Sequence, residues 1–370
     1  MSRIVRANEP AKRQGPRPAC TGGGTARPGS KGISMMRTPQ FWFTPPDRPA
    51  PAARLLSPLA GLYAWGTARR LRRQAGTSIN APVICIGNLN AGGTGKTPTV
   101  IAVSARLREQ QGLAPHIVSR GHGGRLTGPV RVCERTHDAG DVGDEALLLA
   151  ASAPAWIGRD RAEAAQAAQA AGADVIVLDD GFQNPSVAKD ISVVVVDAGR
   201  GFGNGRTIPA GPLREPVRTG LARADILLSI GEDSAQRAFD SAWGDAVNIP
   251  RMRGRLVPLQ TGMDWTGLRV FAFAGIGHPE KFFATLRGLG AEVVGARALA
   301  DHQPLSAALM RRLLAEARAK GAEPVTTEKD AARLPAGVRG KVLSLPVRLQ
   351  IDDWSVFDAA LARVMAGHTA

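Results

Sequence analysis

The sequence has few cysteines and no long apolar run. Its three cysteines, Cys20, Cys85 and Cys133, are far apart and form no CxxC pair. This spacing argues against a disulfide framework and against a cysteine-based zinc site, and it favours a reducing compartment. No apolar stretch reaches the length of about 18 residues that marks a spanning helix, so the sequence predicts no segment that crosses a bilayer.

Acidic residues are also scarce, and the imbalance is confined to the N-terminal part of the chain. The formal charge is +15 over 370 residues. Residues 1–35 and 36–73 each hold seven Lys or Arg side chains and one acidic residue, which leaves residues 74–370 nearly neutral. Nucleic-acid enzymes usually spread basic residues over a working face, whereas a basic terminal segment suits an anionic membrane surface. We therefore predict a membrane-surface partner and no nucleic-acid partner.

The apolar content indicates a folded protein. Hydrophobic residues make up 44% of the chain, which is enough for real cores and excludes a disordered or collagen-like chain. At about 100–200 residues per domain, the length suggests two domains. Residues 1–35 lack periodicity and contain three consecutive glycines, so we expect a disordered basic extension there, with translation starting at Met35 or Met36. The alternative is a short functional arm.

Residues 36–78 contain a short amphipathic segment that ends in arginines. Ser57 suits a helix N-cap and Pro58 the first helical position. The twelve apolar or small residues at positions 55–66 are too few to span a bilayer but enough to lie in its interface, where the arginines at positions 69–73 reach phosphate head groups. We predict an N-terminal membrane-surface helix. A helix packed on the protein's own core remains the alternative, because globular helices show the same pattern.

A glycine-rich loop follows a short apolar strand and precedes a helix. Residues 81–87 have the pattern of a buried strand, and a helical run begins at about Thr99. The Gly-Lys-Thr sequence at positions 95–97 completes a phosphate-binding loop, or P-loop. Its glycines let backbone N–H groups converge on phosphate oxygens, Lys96 can reach the β- and γ-phosphates, and the Thr97 hydroxyl can bind Mg²⁺. The predicted nucleotide contacts are Asn90, Ala91, Gly92, Gly93, Thr94, Gly95, Lys96 and Thr97.

The loop departs from the usual pattern at one position. Asn90 stands where the first glycine usually lies. Asparagine tolerates left-handed backbone angles better than most residues, so we expect Asn90 to preserve the shape of the loop in that conformation.

Two pairs of adjacent carboxylates are candidates for metal binding and proton transfer. Asp179 and Asp180 follow the apolar residues 175–178, which is the Walker B pattern and predicts that Asp179 lies beside the metal of a nucleotide. Asp144 and Glu145 open a helical run, where acidic residues often only complement the helix dipole. A phosphotransferase, however, needs a carboxylate near the acceptor hydroxyl.

Strands and helices alternate through residues 79–250. Strand patterns lie near 114–119, 174–179, 191–197 and 225–230, with alanine-rich helices such as 160–172 between them. Such alternation predicts an α/β fold, a P-loop NTPase-like parallel sheet with helices on both faces. A smaller C-terminal α/β domain is predicted for residues 251–370, with strand patterns at 268–275 and 341–346 and helices at 305–319 and 353–366.

Several motifs in a fixed order give the chain a specific resemblance to a known family. They extend the P-loop segment 87–98 toward the C-terminus and include the strings Ser119-Arg120-Gly121, Gly143-Asp144-Glu145, Asp179-Asp180-Gly181-Phe182-Gln183, Pro209-Ala210-Gly211-Pro212-Leu213-Arg214-Glu215, Asp301-His302 and Thr327-Glu328-Lys329-Asp330. With these motifs, the chain resembles the tetraacyldisaccharide 4'-kinases, the lipid A 4'-kinases of Gram-negative bacteria, over roughly residues 37–350.

The resemblance implies an ATP-dependent kinase of lipid A biosynthesis. The γ-phosphate of ATP, with Mg²⁺, would go to the 4'-hydroxyl of a tetraacyldisaccharide 1-phosphate and give lipid IVA. The implied location is the cytoplasmic face of the inner membrane, with the protein attached peripherally, and we expect a monomer.

The resemblance also implies roles for single residues. Asp144 would be the catalytic base with His302 as its partner, and Lys96 would stabilise the transferring phosphoryl group. The implied metal ligands are Thr97, Glu145, Asp179 and Asp180. The implied contacts to substrate phosphate or sugar are Arg120, Arg161, Gln183 and Arg214, with Arg159 competing with Arg161 for one position.

Two positions depart from the family pattern. His122 stands where the family commonly has tyrosine, and Asn184 where it commonly has histidine.

Two other functions stay open on the residues alone. The first alternative function is a P-loop ATPase of the switch or partitioning type without a glycolipid acceptor. The second is a nucleic-acid-binding NTPase, which the basic pI suggests and the near-neutral body opposes.

Overall fold

The computed structural model describes residues 38–73, 76–300 and 303–368. The predicted extension at residues 1–35 lies outside the described residues, and so does His302, the predicted partner of Asp144.

The described chain forms thirteen strands in two sheets. The strands are β1 (Val83–Gly87), β2 (Pro115–Ser119), β3 (Val130–Arg131), β4 (Ala155–Ile157), β5 (Val175–Asp179), β6 (Ile191–Asp197), β7 (Ile226–Ile230), β8 (Arg251–Pro258), β9 (Arg269–Ala274), β10 (Glu292–Ala298), β11 (Glu323–Thr327), β12 (Leu343–Leu345) and β13 (Val347–Ile351).

The helices of the described chain lie between and around these strands. They are α1 (Pro51–Leu55), α2 (Ser57–Arg73), α3 (Lys96–Gln111), α4 (Ala139–Val142), α5 (Asp144–Ala150), α6 (Arg161–Ala170), α7 (Val217–Leu221), α8 (Asp233–Trp243), α9 (Pro279–Gly288), α10 (Ala307–Ala319), α11 (Glu328–Ala332), α12 (Ala336–Arg339) and α13 (Ser355–His368), with 3-10 turns at Gln40–Phe43 and Gly244–Ala246.

The larger sheet has nine strands in the order β13–β8–β7–β6–β1–β5–β2–β4–β3. Its seven inner strands are parallel, and the edge strands β13 and β3 run antiparallel to their neighbours. Strands β1, β2, β5 and β7 are buried along their whole length, as expected for a parallel sheet that helices cover on both faces. Helices α3, α5 and α13 pack on one face and α6, α7 and α8 on the other. The prediction of an α/β P-loop-like sheet is confirmed.

The smaller sheet is parallel, in the order β10–β9–β11–β12. Helix α9 packs on one face through Phe283 and Leu286, and α10 packs on the other through Met310 and Leu313. Strands β8 and β13, although they follow residue 250, belong to the larger sheet. A division at residue 250 therefore does not separate the two sheets, because the chain returns to the larger one at its C-terminal end.

The N-terminal helix α2 leaves most of its surface exposed. Its buried residues are Ala60 and Thr67, and the Thr207 hydroxyl donates a hydrogen bond to the Ala60 carbonyl.

The expected N-cap at Ser57 is wrong. The Ser57 hydroxyl donates to the Ala53 carbonyl of α1, because α1 already supplies a preceding helical turn. In the part of the chain that the structure describes, no helix is long and apolar enough to cross a membrane.

Candidate active site

The glycine-rich loop lies between β1 and α3, at the carboxyl end of the parallel strands. Lys96 is the first residue of α3, so the loop delivers the chain directly to a helix N-terminus, where backbone N–H groups point outward and favour an anion. Gly92 and Gly95 have positive φ angles of 112° and 96°. At Gly95 an added Cβ would also lie 2.6 Å from Ile230 Cδ1. The left-handed conformation favours glycine at this position, whereas the Ile230 side chain could shift to make room for a Cβ.

Backbone hydrogen bonds tie this loop to residues 212–214. The Ala91 N–H donates to the Pro212 carbonyl, and the Arg214 N–H donates to the Leu89 carbonyl, each at 2.7 Å. The Asn90 side-chain amide donates to the Gly201 carbonyl at 3.0 Å. Asn90 does not take the expected left-handed conformation, since Asp180 is the non-glycine residue with positive φ among the described residues. That prediction is wrong: Asn90 uses its side chain to hold the loop.

Asp179 ends β5 directly beside the strand that feeds the loop. It is paired with Ile86 of β1, and its carboxylate accepts a hydrogen bond from the Ser119 hydroxyl at 3.1 Å. Burial raises the pKa of Asp179 to about 6, with the nearby Glu145 carboxylate as the second cause and Lys96 opposing it. The carboxylate thus lies in a dry, negatively charged environment that a cation would stabilise.

Asp180 has a strained backbone and several cationic neighbours. Its φ is 51°, an uncommon angle for a residue with a side chain. Its N–H donates to the Ile86 carbonyl and its own carbonyl accepts from Arg161, each at 2.9 Å. The Asp180 carboxylate lies 3.7 Å from Lys96 Nζ and 3.0 Å from an Arg214 nitrogen. Burial alone would raise the pKa of Asp180, but Lys96 and Arg214 outweigh it and hold the pKa below its usual value.

Gln183 and Arg214 belong to one hydrogen-bonded network with a buried acid. Arg214 donates to the Gln183 side-chain oxygen at 3.2 Å. The Gln183 amide donates to the Asn88 carbonyl and to the Glu215 carboxylate. Glu215 is 2% exposed and pairs with both of its oxygens to Arg223 at 2.7 Å. Two predicted substrate contacts are thereby fixed relative to the loop.

The second acidic pair lies at the start of α5. Asp144 is buried and accepts a hydrogen bond from the Glu145 N–H at 3.0 Å. Cations from the smaller-sheet part of the chain reach both acids: Lys329 Nζ lies 3.0 Å from Glu145, and Arg333 Nε lies 3.5 Å from Asp144 Oδ2. The electrostatic effect of Glu145 on Asp179 connects this pair with the end of β5.

Most of the predicted site residues therefore lie around the carboxyl ends of β1 and β5. Arg161 is buried and contacts Asp180, whereas Arg159 is exposed. Arg120 is exposed at the end of β2. Arg333 and Arg223 were not predicted. Only its contact with a buried acid in the folded chain identifies each of these two arginines, so no local sequence pattern could have predicted them.

The carboxylates were also predicted to hold Mg²⁺. Among the described residues, no three His, Cys, Asp or Glu side chains lie close enough together to hold a metal ion by themselves. Mg²⁺ usually binds through one or two carboxylates together with nucleotide phosphates and water, and not in a cage made only of protein groups. The buried Asp179 carboxylate and its neighbours fit that kind of shared site.

Comparisons with known proteins identify the family. The family model described as LpxK: Tetraacyldisaccharide-1-P 4'-kinase matches residues 52–366. A Tetraacyldisaccharide 4'-kinase of Dinoroseobacter shibae is 62% identical over 327 residues, which cover 88% of this chain and 97% of that protein. Another, from a Jannaschia species, is 58% identical over 330 residues, covering 89% of this chain and 99% of that protein.

The fold is also found in a solved structure. The crystal structure of LpxK from Aquifex aeolicus, in complex with ATP, has a TM-score of 0.66 and 22% sequence identity, and it covers 84% of this chain and 99% of that one. It confirms the fold, while the family model and the relatives confirm the resemblance that the motifs indicated. This chain belongs to the tetraacyldisaccharide-1-phosphate 4'-kinase family.

Proposed function

We propose that this protein transfers the γ-phosphate of ATP to the 4'-hydroxyl of a tetraacyldisaccharide 1-phosphate and so forms lipid IVA. The observation that carries the proposal is the P-loop with Lys96 Nζ 3.7 Å from the Asp180 carboxylate, in a chain that matches this kinase family over residues 52–366. A switch-type or partitioning ATPase is not favoured, because the relatives are named as kinases over nearly the whole chain.

The nucleotide binds with its phosphates against the loop at residues 90–97. The backbone N–H groups of the loop and the N-terminus of α3 face the phosphate oxygens. Lys96 is the first residue of α3. Its positive charge stabilises the transition state more than the ground state, because negative charge moves onto the leaving phosphate during the transfer. The Asp180 carboxylate is its ion-pair partner.

The acceptor hydroxyl gives its proton to Asp144. This carboxylate is buried and belongs to the first residue of α5, directly before Glu145, whose charge acts on Asp179 at the end of β5. His302, which the family resemblance makes the partner of Asp144, would orient this carboxylate and tune its proton affinity.

The glycolipid head group is bound by basic and amide side chains around Asp180. Arg161, Gln183 and Arg214 are joined to Asp180 or to one another by hydrogen bonds, so they form one polar surface of fixed geometry. Arg120 extends this surface from the end of β2. Arginine suits the task because its planar guanidinium binds phosphate through two parallel hydrogen bonds.

Thr97 and one or two of the carboxylates of Glu145, Asp179 and Asp180 would hold Mg²⁺, with nucleotide phosphates and water as its other ligands. When bound, the cation would neutralise charge on the phosphate oxygens. The raised pKa of Asp179, about 6, supports this assignment because a buried carboxylate beside a like charge gains most from a neighbouring cation.

Helix α2 places the enzyme on an anionic membrane surface. Leu59, Leu62 and Trp65 of this helix are 54%, 66% and 63% exposed, which favours a membrane contact over the packing of this face on the protein's own core. The arginines that end the helix lie beside this apolar face, at the level of lipid phosphates. The buried substrate-binding network and the exposed helix together let a lipid remain in the bilayer while its head group enters the site.

We further propose a peripheral monomer at the cytoplasmic face of the inner membrane. The buried Cys85 thiol is free, which agrees with a reducing compartment. In functional terms we assign the membrane contact to residues 36–78, the kinase core to residues 79–250 and a smaller α/β domain to the chain that follows.

A transfer assay tests the activity. The purified full-length protein is incubated with γ-labelled ATP, with and without a tetraacyldisaccharide 1-phosphate in detergent micelles. We expect label on the glycolipid and little ATP hydrolysis in its absence. Steady hydrolysis that ignores the glycolipid, without labelled lipid, would overturn the kinase assignment in favour of the ATPase.

A double variant tests the membrane contact. Leu62→Asp with Trp65→Asp removes exposed apolar area from α2 and should raise KM about tenfold or more for substrate in anionic vesicles. The control is Leu259→Asp, which changes another exposed leucine away from α2. Equal KM values for the double variant and the wild type would contradict the membrane role.

A further inference from the structure

Helix α11 joins the smaller-sheet part of the protein to the predicted catalytic acids. It follows β11 directly and packs against α5 of the larger-sheet part. The Thr327 hydroxyl caps its N-terminus by accepting from the Asp330 N–H at 3.1 Å. The direction of the helix is thus fixed at its first turn, and the residues that face α5 are Lys329 and Arg333.

Arg333 is held in place by residues of the smaller-sheet part. Its guanidinium pairs with Asp330, which is fully buried, and donates to the carbonyls of Gln303 and Gly275 at 3.0 and 3.3 Å. Asp330 is itself fixed, since its second oxygen accepts from the Gly275 N–H at 2.9 Å and from the Thr327 hydroxyl at 2.8 Å. These contacts occupy the terminal nitrogens of Arg333 and leave its Nε facing α5.

The Nε of Arg333 lies close to the carboxylate that the mechanism uses. It is buried, finds no hydrogen-bond acceptor among the residues that the structure describes, and lies 3.5 Å from Asp144 Oδ2. Both side chains are more than 90% buried, so the interaction is poorly screened. An arginine needed only to brace its own part of the chain would have no reason to place its remaining nitrogen beside an acid of α5.

We propose that Arg333 is a positioning residue for the phosphoryl transfer: anchored in the smaller-sheet part, it fixes the rotamer of the Asp144 carboxylate so that one oxygen faces the acceptor hydroxyl. The inference rests on the proposed function of Asp144 as the base. A displaced base costs turnover without weakening nucleotide binding, because the misplacement of a reacting group by about 1 Å can lower the rate about 100-fold.

A double-mutant cycle on the full-length protein tests this role. The variants are Arg333→Gln, Asp144→Ala and the two combined, assayed for kcat and for the KM of ATP. We expect Arg333→Gln to lower kcat about 10- to 100-fold with the KM of ATP within about twofold of wild type. In the Asp144→Ala background, the same change should have almost no further effect, because its action passes through the missing carboxylate.

The cycle separates a positioning role from a structural one. If Arg333 only stabilises the fold, Arg333→Gln will lower the activity of Asp144→Ala by the same factor as that of the wild type, and the proposal is overturned. If Asp144→Ala turns over at the wild-type rate, the assignment of the base fails instead.

Two further variants keep the test interpretable. Arg348→Gln is the matched control, because Arg348 of β13 also joins the larger sheet to α11, through Glu328 at 2.7 Å, but touches neither Asp144 nor Glu145; its kcat should stay within twofold of wild type. Should Arg333→Gln fail to fold, Arg333→Lys replaces it in the cycle, with a smaller loss of kcat expected since the charge is kept.

Discussion

The two acidic pairs of the site differ in where their positive partners come from. Asp179 and Asp180 end β5, and the side chains that compensate Asp180 belong to the larger-sheet part of the protein, namely Lys96 and Arg214. Asp144 and Glu145 start α5, and the cations beside them, Arg333 and Lys329, come from the smaller-sheet part. The pairs lie in one site but depend on different parts of the chain.

With the proposed roles, this difference assigns the pairs to different steps. The pair at β5 lies beside the phosphate-binding loop, so we propose that its first task is to hold the nucleotide and its cation. The cations beside the pair at α5 come from the smaller-sheet part of the chain. We therefore expect acceptor activation to depend on the relative position of the two parts, and nucleotide binding to depend on one of them.

The largest effect is expected for Asp144→Ala. Removal of the general base should lower turnover by about 10²- to 10⁴-fold, while ATP affinity, measured by calorimetry, stays close to that of the wild type because Lys96 and the loop are untouched. Asp180→Ala is the counterpart from the other pair and should weaken both turnover and ATP binding. An Asp144→Ala variant with normal turnover would remove this residue as the base.

A smaller effect is expected for Lys329→Met. The change removes the ammonium that lies 3.0 Å from Glu145 and leaves a like-charged neighbour for Asp179. We expect kcat to fall about tenfold, which corresponds to about 1.4 kcal/mol for a partly buried ion pair. Lys329→Arg keeps the charge and should recover much of the loss. If Lys329→Met and Lys329→Arg are equally slow, the charge is not what matters at this position.

The remaining effects concern the free energy of unfolding and not turnover, and they distinguish the two neighbours at β5. Folding raises the pKa of Asp179 from 3.8 to about 6, so the folded state binds the proton more tightly and the free energy of unfolding falls as the pH rises through this range. Asp179→Asn should therefore gain stability relative to the wild type between pH 4 and pH 7, by about 2–3 kcal/mol at most.

Asp180 should show the opposite sign. Its pKa is lowered in the folded state, so its ionised form contributes stability at neutral pH that is lost as the pH falls. Asp180→Asn is accordingly expected to unfold at lower urea concentration than the wild type at pH 7, with a smaller difference at pH 4. Urea unfolding of the nucleotide-free variants across pH 4–7 measures both effects, and shifts of the same sign would contradict the assignment.

Much of the nucleotide site could be predicted because its parts are local in sequence. The loop at residues 88–95 follows a buried strand and starts a helix, and Asp179 ends a strand whose apolar run is visible without a structure. Strands β2, β5, β6 and β7 were predicted close to their observed bounds, since continuous apolar residues mark buried parallel strands. These elements place the phosphate-binding part of the site.

The remaining parts depend on contacts between distant residues. Strand β8 carries three arginines and a glycine among its eight residues, so no apolar run marks it, and strand β4 has only three residues. The contact between Lys329 and Glu145 joins residues 184 positions apart, which no local pattern encodes. Ser57 misled the prediction because α1 precedes it and leaves no free helix start for its hydroxyl to cap.

The bonds between the nucleotide loop and residues 212–214 have a consequence for protein engineering. Since Ala91 and Leu89 exchange main-chain hydrogen bonds with Pro212 and Arg214, a foreign loop grafted between β1 and α3 would lose its scaffold unless the segment that carries Arg214 were transplanted with it. With Arg214 in its proposed role at the lipid head group, changes to nucleotide recognition and to lipid selectivity are coupled, and we expect directed evolution of one to need a screen for damage to the other.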